Sequence, residues 1–430
     1  MQNYEEMNNY LGLKKGGRIS PGLASMNRIL KKLGDPHRAV KTIHIAGTNG
    51  KGSTGAYLQG MLTEAGYTAG VFSSPFMHTV NEHIQVNGSA IGDEELIRVL
   101  DKLKSVMREE DLTITEFEAI TAAAFFYFGT IAIPDFCIIE AGMGGTWDST
   151  NVVEPVLSII TNVGSDHTDY LGNTLVEVAE HKAGIIKHRV PVVTGRMDPE
   201  PLMVIKEKAE EKLSPHLMFG KEYRIEKIHG GPYEESFLYH SLYSDSSSYT
   251  ITMLGAHQVD NAAAALMAVD SLQNQSILSI SEEERAAGLK RAAMPGRFER
   301  VREQPLVFID GAHNPQGTAA LSELLKKTFL SKKIHVIFSA LADKQKEEML
   351  KPLYRAAASF TFTEFDHPRS GNIMELYRKS DFPDKRYEHN WMKAIDEIIE
   401  AALEEEVIVI TGSLYFIAEV RKYMKDFPHI

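Results

Sequence analysis

His44-Ile45-Ala46-Gly47-Thr48-Asn49-Gly50-Lys51-Gly52-Ser53-Thr54 links a short apolar run, Thr42–Ala46, to a segment whose Tyr57, Leu58, Met61, Leu62 and Ala65 share one helical face. A strand, a glycine-rich turn and a helix in that order make a cradle for phosphate. Glycines let successive backbone N–H groups turn inward, and the helix N-terminus adds positive potential. Lys51 supplies a point charge for the outer phosphates. The loop is not the standard G-x-x-x-x-G-K-[ST], because Ile45 stands at the first glycine and Gly52 follows the lysine. The hydroxyl that normally meets magnesium is therefore missing from its place. Ser53 next door, or Ser74 in Ser73-Ser74-Pro75-Phe76, has to supply it.

Outward from this loop, short apolar runs alternate with helical patterns. Strands are expected at Thr42–Ala46, Gly70–Ser73, Phe136–Glu140, Leu157–Thr161 and Val190–Thr194, and a helix at Thr54–Ala65 ending at Gly66. Such alternation implies a mostly parallel sheet covered on both faces, with ligands at the C-terminal edge of its strands. Two more strand ends point to that edge: Glu140, followed by Ala141-Gly142-Met143-Gly144-Gly145, and Asn162-Val163-Gly164-Ser165-Asp166-His167. A carboxylate and an imidazole beside a phosphate loop can complete a magnesium or manganese shell. Taken singly, Glu140 reads equally as a helix-capping acid and His167 as a satisfied loop histidine.

The 430 residues allow two or three domains, and 43% hydrophobic with 24% charged residues is globular composition. A net charge of −12 argues against a nucleic-acid-binding protein. The single cysteine, Cys137, excludes a disulfide framework and reads as a small buried hydrophobe. The N-terminus, Met1-Gln2-Asn3-Tyr4-Glu5-Glu6, lacks signal-peptide character, and the apolar stretch Ala119–Ile133 is too short and broken to span a bilayer. A cytoplasmic protein without membrane contact is expected. The first domain is expected over residues 1–295, including a small antiparallel appendage at about 216–254, with Asp245-Ser246-Ser247-Ser248 and Gly230-Gly231-Pro232 as its loops. Helices around Asn261–Leu272 and Ser281–Ala293 close that domain. Residues 296–430 restart the alternation as a smaller α/β domain with strands at Leu306–Asp310, Ile334–Phe338, Phe360–Thr363 and Val407–Thr411.

The loop Gly47–Ser53 resembles the shortened phosphate loop of the Mur-type ATP-dependent amide ligases, and within them the folylpolyglutamate and dihydrofolate synthases. The resemblance runs over nearly the whole chain. It is carried by Ser73-Ser74-Pro75-Phe76, Asn87-Gly88, Thr115-Glu116-Phe117-Glu118, Asp148-Ser149-Thr150-Asn151-Val152-Val153, Asp166-His167-Thr168 and Lys182-Ala183-Gly184-Ile185-Ile186-Lys187. Further on come His257-Gln258 with Asn261, Gly296-Arg297-Phe298-Glu299, Asp310-Gly311-Ala312-His313-Asn314-Pro315 and Gly412-Ser413-Leu414-Tyr415.

The resemblance implies a P-loop Mur-ligase-like domain followed by a Rossmann-like α/β domain that closes over it. It implies that Gly47, Thr48, Asn49, Gly50, Lys51, Gly52 and Ser53 hold ATP, with Asn261, Arg297, Asp310 and His313 gripping the nucleotide from the interdomain side. It implies Ser74, Glu140 and His167 as ligands of Mg2+ or Mn2+, and Lys182 as a carbamylated lysine able to join them. A carbamate needs a neutral amine, hence a pKa lowered by its site. Lys51, His167 and Lys182 would be catalytic; Thr115, Glu116, Phe117, Glu118, Trp147, Asp148 and Ser149 would lie near the pterin. The implied partners are folate or dihydropteroate, L-glutamate and ATP, acting on a monomer. Four positions depart from the family pattern: His83 and Thr146 where arginine is usual, His181 for a glutamate, and Gln345 for an aspartate. The rival readings are a Mur-type ligase with another acyl substrate and an ATP-binding paralogue with degenerate catalysis. A dehydrogenase is disfavoured because Gly142-Met143-Gly144-Gly145-Thr146-Trp147 breaks the dinucleotide fingerprint.

Overall fold

β1 (Lys41–Ala46) is buried from Thr42 onward and lies near the middle of an eight-stranded sheet. The other strands are β2 (Ala69–Phe72), β3 (Ile84–Val86), β4 (Ser89–Ala90), β5 (Phe136–Glu140), β6 (Leu157–Ile160), β7 (Val192–Thr194) and β8 (His216–Met218). They run in the order β4-β3-β2-β5-β1-β6-β7-β8, parallel throughout except for the antiparallel β3 and β4 edge. Every residue of β5 and β6 is buried, as strands covered on both faces require. This is a computed structural model that describes residues 3–12, 22–231, 233–342 and 344–426; Met1, Gln2, Pro232 and Asp343 lie outside them.

The chain forms two compact units. The first takes the described residues of Met1–Gly230, Glu235–Thr252 and Gln258–Ala293; the second takes those of Gly231–Glu234, Met253–His257 and Met294–Ile430. In the first unit, Met26, Ile29, Leu30, Leu96, Leu100, Ile120 and Phe125 pack with Phe72, Cys137 and Ile139 of the sheet. Cys137 is buried as expected, and burial raises its thiol far above the ordinary value. The apolar stretch from Ala119 divides into the end of the helix Glu116–Tyr127 and a π-helical turn Phe128–Ala132 before β5. Among the described residues no helix is long and apolar enough to cross a membrane.

A three-stranded antiparallel sheet follows, made of β9 (Tyr223–Gly230), β10 (Glu235–Ser241) and β11 (Ser244–Ile251). Two expectations change here. His216–Met218 is not part of this appendage but pairs parallel with β7, because its alternation serves the edge of the large sheet. Asp245–Ser248 is not a loop: it lies inside β11, and the chain turns at Leu242-Tyr243 instead. Strand propensity depends on the face a residue occupies, and most of Asp245–Ser248 is exposed to solvent. The buried Tyr239 hydroxyl donates to Asp270 of the helix Ala256–Asn274 at 2.9 Å, and Arg285 meets the same carboxylate at 2.6 Å.

The second unit is a six-stranded sheet: β12 (Glu299–Glu303), β13 (Leu306–Asp310), β14 (Ile334–Phe338), β15 (Ser359–Glu364), β16 (Lys385–Asn390) and β17 (Val407–Thr411). Its order is β12-β13-β17-β14-β15-β16, parallel apart from β12. Val336, Phe338, Phe360, Phe362, Val407 and Val409 build its core.

Candidate active site

The helix after β1 begins at Lys51, three residues before the expected Thr54, because Gly50 adopts a left-handed backbone (φ +83°) that turns the chain straight into it. The loop is clamped by the residues leaving β6. Asn49 N–H donates to Asn162 Oδ1 at 2.9 Å, while Thr161 Oγ1 and Asn162 Nδ2 donate to the Asn49 carbonyl at 2.6 and 3.0 Å. Thr48 Oγ1 donates to the Gly164 carbonyl at 3.0 Å and accepts from Gly164 N–H at 2.9 Å. Gly47 has no room for a side chain, since a Cβ there would overlap Thr161 Oγ1. Sequence reasoning gave Thr161 and Asn162 no role, because their bonds to the loop join residues 112 and 113 positions apart.

Lys51 folds back over the loop. Its Nζ donates to the Gly47 carbonyl at 3.1 Å and lies 3.7 Å from Glu140 Oε1 at the end of β5. The loop lysine and the β5 carboxylate are thus together. His167 follows the exit of β6, with a left-handed backbone (φ 51°) and Nε2 4.0 Å from Asp166 Oδ2. Ser74 follows β2 and stands before a cis proline. The ring of His83 is buried and donates from Nδ1 to the carbonyl of Ser73 at 2.5 Å; burial brings its pKa down to about 4.

Lys182 is nearly the last residue of the helix Leu175–Ala183, which Thr174 and Glu177 cap reciprocally. It is buried. Desolvation first, then the charge of Lys51, lowers its pKa to about 7 against the opposing pull of Asp166 and Asp148. Thr146 fixes this helix end by donating to the His181 carbonyl from its N–H at 2.8 Å and its Oγ1 at 3.1 Å. Asp148 is buried and accepts from Thr150 and from Met143 N–H, and burial raises its carboxyl above the ordinary value. Trp147 beside it is 57% exposed, and Ser149 opens a 3-10 turn.

The segment Thr115–Glu118 is a capping box: Thr115 Oγ1 accepts from Glu118 N–H and Glu118 Oε2 accepts from Thr115 N–H. Glu116 accepts from Asn8 at 2.8 Å. Phe117 packs against Gly142, where a Cβ would strike its ring. Asn261, from the helix Ala256–Asn274, lies directly against Gly50 of the loop. The remaining expected nucleotide contacts are in the second unit. Asp310, at the end of β13, accepts from Phe298 N–H and Ala312 N–H at 2.9 Å each. Burial raises its carboxyl while Arg297 and His313 oppose the rise. His313 Nδ1 donates to the Gly311 carbonyl at 2.8 Å.

Among the described residues no group of three His, Cys, Asp or Glu side chains stands together as a ready-made metal cage. Glu140 ends β5, while Ser74 and His167 follow the ends of β2 and β6, so a carboxylate, a hydroxyl and an imidazole stand at the C-terminal ends of strands in one sheet.

Known proteins resemble the chain throughout. Residues 45–269 match the Mur ligase middle domain, and residues 296–414 match the Mur ligase glutamate ligase domain. The dihydrofolate synthase/folylpolyglutamate synthase of Bacillus subtilis is 41% identical over 415 residues, covering 95% of this chain and 96% of the relative. The structure of E. coli FolC in complex with DHPP and ADP superposes with a TM-score of 0.90 at 26% identity, over 99% of this chain and 98% of that one. Thermotoga maritima folylpolyglutamate synthase gives a TM-score of 0.84 at 32% identity, over 98% and 96%. The chain belongs to the Mur ligase family, among its dihydrofolate and folylpolyglutamate synthases.

Proposed function

We propose that this chain is an ATP-dependent ligase that joins L-glutamate to the γ-carboxylate of a reduced folate, with dihydropteroate as a second acyl substrate. The observation that carries this reading is the clamped loop, with Lys51 facing Glu140 and with Lys182 buried where it feels the charges of Lys51, Asp166 and Asp148. Relatives named for both activities, and a FolC structure holding DHPP and ADP, support it.

A carboxylate is a poor acyl donor because oxide would have to leave. Transfer of the ATP γ-phosphoryl group to a carboxylate oxygen releases ADP and makes an acyl phosphate. The glutamate amine then attacks the carbonyl carbon, loses a proton, and the tetrahedral intermediate collapses to amide and inorganic phosphate. In this scheme Gly47–Ser53 cradle the triphosphate, and Lys51 leaves the Gly47 carbonyl to meet the outer phosphates. Ser74, Glu140 and His167 would hold Mg2+ or Mn2+, and such an ion would supply positive charge to offset that of the phosphate oxygens. Lys182, with its pKa lowered to about 7, is largely the free amine above that pH and reacts with CO2, forming an N–C bond and losing a proton. The resulting carbamate adds one more carboxylate to the site. Asn261, Arg297, Asp310 and His313 hold the nucleotide; Thr115–Glu118 and Trp147–Ser149 form the pterin side. The enzyme works as a cytoplasmic monomer.

The test is phosphate release with dihydropteroate and with tetrahydrofolate, each with and without L-glutamate. Release should require a pterin and glutamate together, and Lys51→Ala should bind folate yet form no ADP. Release indifferent to both pterins, or normal turnover by Lys51→Ala, would contradict the proposal.

A further inference from the structure

The displaced hydroxyl of the loop leaves Ser53 with an undefined task, and a residue 205 positions away defines it. Gln258, buried on the first turn of the helix Ala256–Asn274, donates from Nε2 to Ser53 Oγ at 3.3 Å. Gln258 Oε1 accepts in turn from Asn261 Nδ2 at 3.1 Å, and the NH2 end of the Gln258 amide faces Ser53. Asn261 is held in turn against Gly50, since any side chain at that glycine would overlap Asn261 Oδ1. Ser53, Gln258 and Asn261 are all buried, so this chain of amides is shielded from exchange with water.

Donor and acceptor accounting then fixes the serine. An amide NH2 can only donate, so Ser53 Oγ accepts, and its own O–H is the proton it still has to offer. Ser53 is the third residue of the helix Lys51–Glu64, within its first turn, where backbone N–H groups have no partner inside the helix.

We propose that Gln258 is a positioning residue that holds Ser53 as a hydrogen-bond donor to a bound nucleotide phosphate. The magnesium hydroxyl is then supplied from elsewhere at the strand edge. This deepens the phosphate-loop reading and rests on it, but not on the identity of the acyl substrate.

Equilibrium binding of a non-hydrolysable ATP analogue, measured by calorimetry on the full chain, tests the contact without requiring turnover. Gln258→Met keeps the side chain's length and removes the amide; Ser53→Ala removes the hydroxyl. Each should weaken binding about tenfold, as loss of one hydrogen bond to a charged group does. The double variant should be no weaker than the worse single variant, because both act through the same serine–phosphate contact. The KM for tetrahydrofolate should stay within about twofold, since a phosphate contact lies outside the pterin side. Gln258→Glu, of the same shape but able only to accept when ionised, should show the same non-additivity with Ser53→Ala. It also serves should Gln258→Met fail to fold. Losses that multiply in either double variant would overturn the proposal, as would an unaltered analogue affinity in both Gln258 variants. Loss of analogue binding confined to Lys51→Ala, with Ser53→Ala silent, would overturn it while leaving the loop intact. Failure of wild type to turn over any pterin would strike the acyl-substrate reading alone.

Discussion

Lys182 has to shed its proton to suit its surroundings. Burial and the neighbouring Lys51 charge penalise the ammonium form, while Asp166 and Asp148 compensate in part, leaving a pKa of about 7 against an ordinary 10.5. Between those values the unfolded chain holds a proton that the native lysine has released, so stability climbs as pH rises. Below about 7 both states are protonated, and the penalty of the buried charge is present in full. In nucleotide-free protein and CO2-free buffer, wild type should therefore gain on Lys182→Met between pH 7 and 9, by up to about 1.4 kcal/mol per pH unit. Denaturant midpoints at the two pH values measure this. A difference between the two proteins that does not move with pH would mean the amine stays protonated in the fold.

At the level of elements, the capping box of Thr115 and Glu118 shows how one motif can serve two ends. Both residues resemble a substrate segment, yet their side chains accept the first N–H groups of the helix Glu116–Tyr127. Thr115→Ala should lower stability by about 1 kcal/mol, and Thr115→Ser should restore most of it, as capping losses do. Urea denaturation reads both; an unchanged midpoint in Thr115→Ala would deny the cap its structural role. The elements legible in the sequence were those with a single environment. β5, β13, β14 and β17 match the expected bounds because their residues are almost uniformly apolar and flanked by turn formers. β12 and β16 went unread, since Glu-Arg-Val-Arg-Glu and Lys-Arg-Tyr-Glu-His-Asn carry the charges that edge strands use against pairing with other chains. The site divides in the same way. Lys51 and Glu140 lie at strand ends that the pattern locates, and they meet at 3.7 Å. The clamp by Thr161 and Asn162 and the bond from Gln258 to Ser53 depend on side chains brought together across 112 to 205 residues, which no local pattern encodes.

For the molecule as a whole, a chain of net charge −12 is proposed to bind two polyanions, ATP and a folate. The cationic potential must then be local, and the loop supplies it through a helix N-terminus, Lys51 and converging backbone N–H groups. Each unit presents loops at the C-terminal edge of a parallel sheet, where such folds place their ligands. The chemistry proposed for the loop is the capture of a phosphoryl group by a carboxylate before any amine arrives. Tracing oxygen decides it most directly. With the acyl substrate's reacting carboxylate labelled with 18O, each amide formed should release inorganic phosphate carrying one labelled oxygen, read by mass spectrometry. Amide formation accompanied by wholly unlabelled phosphate would contradict the acyl-phosphate route, and with it the account of what the loop is for.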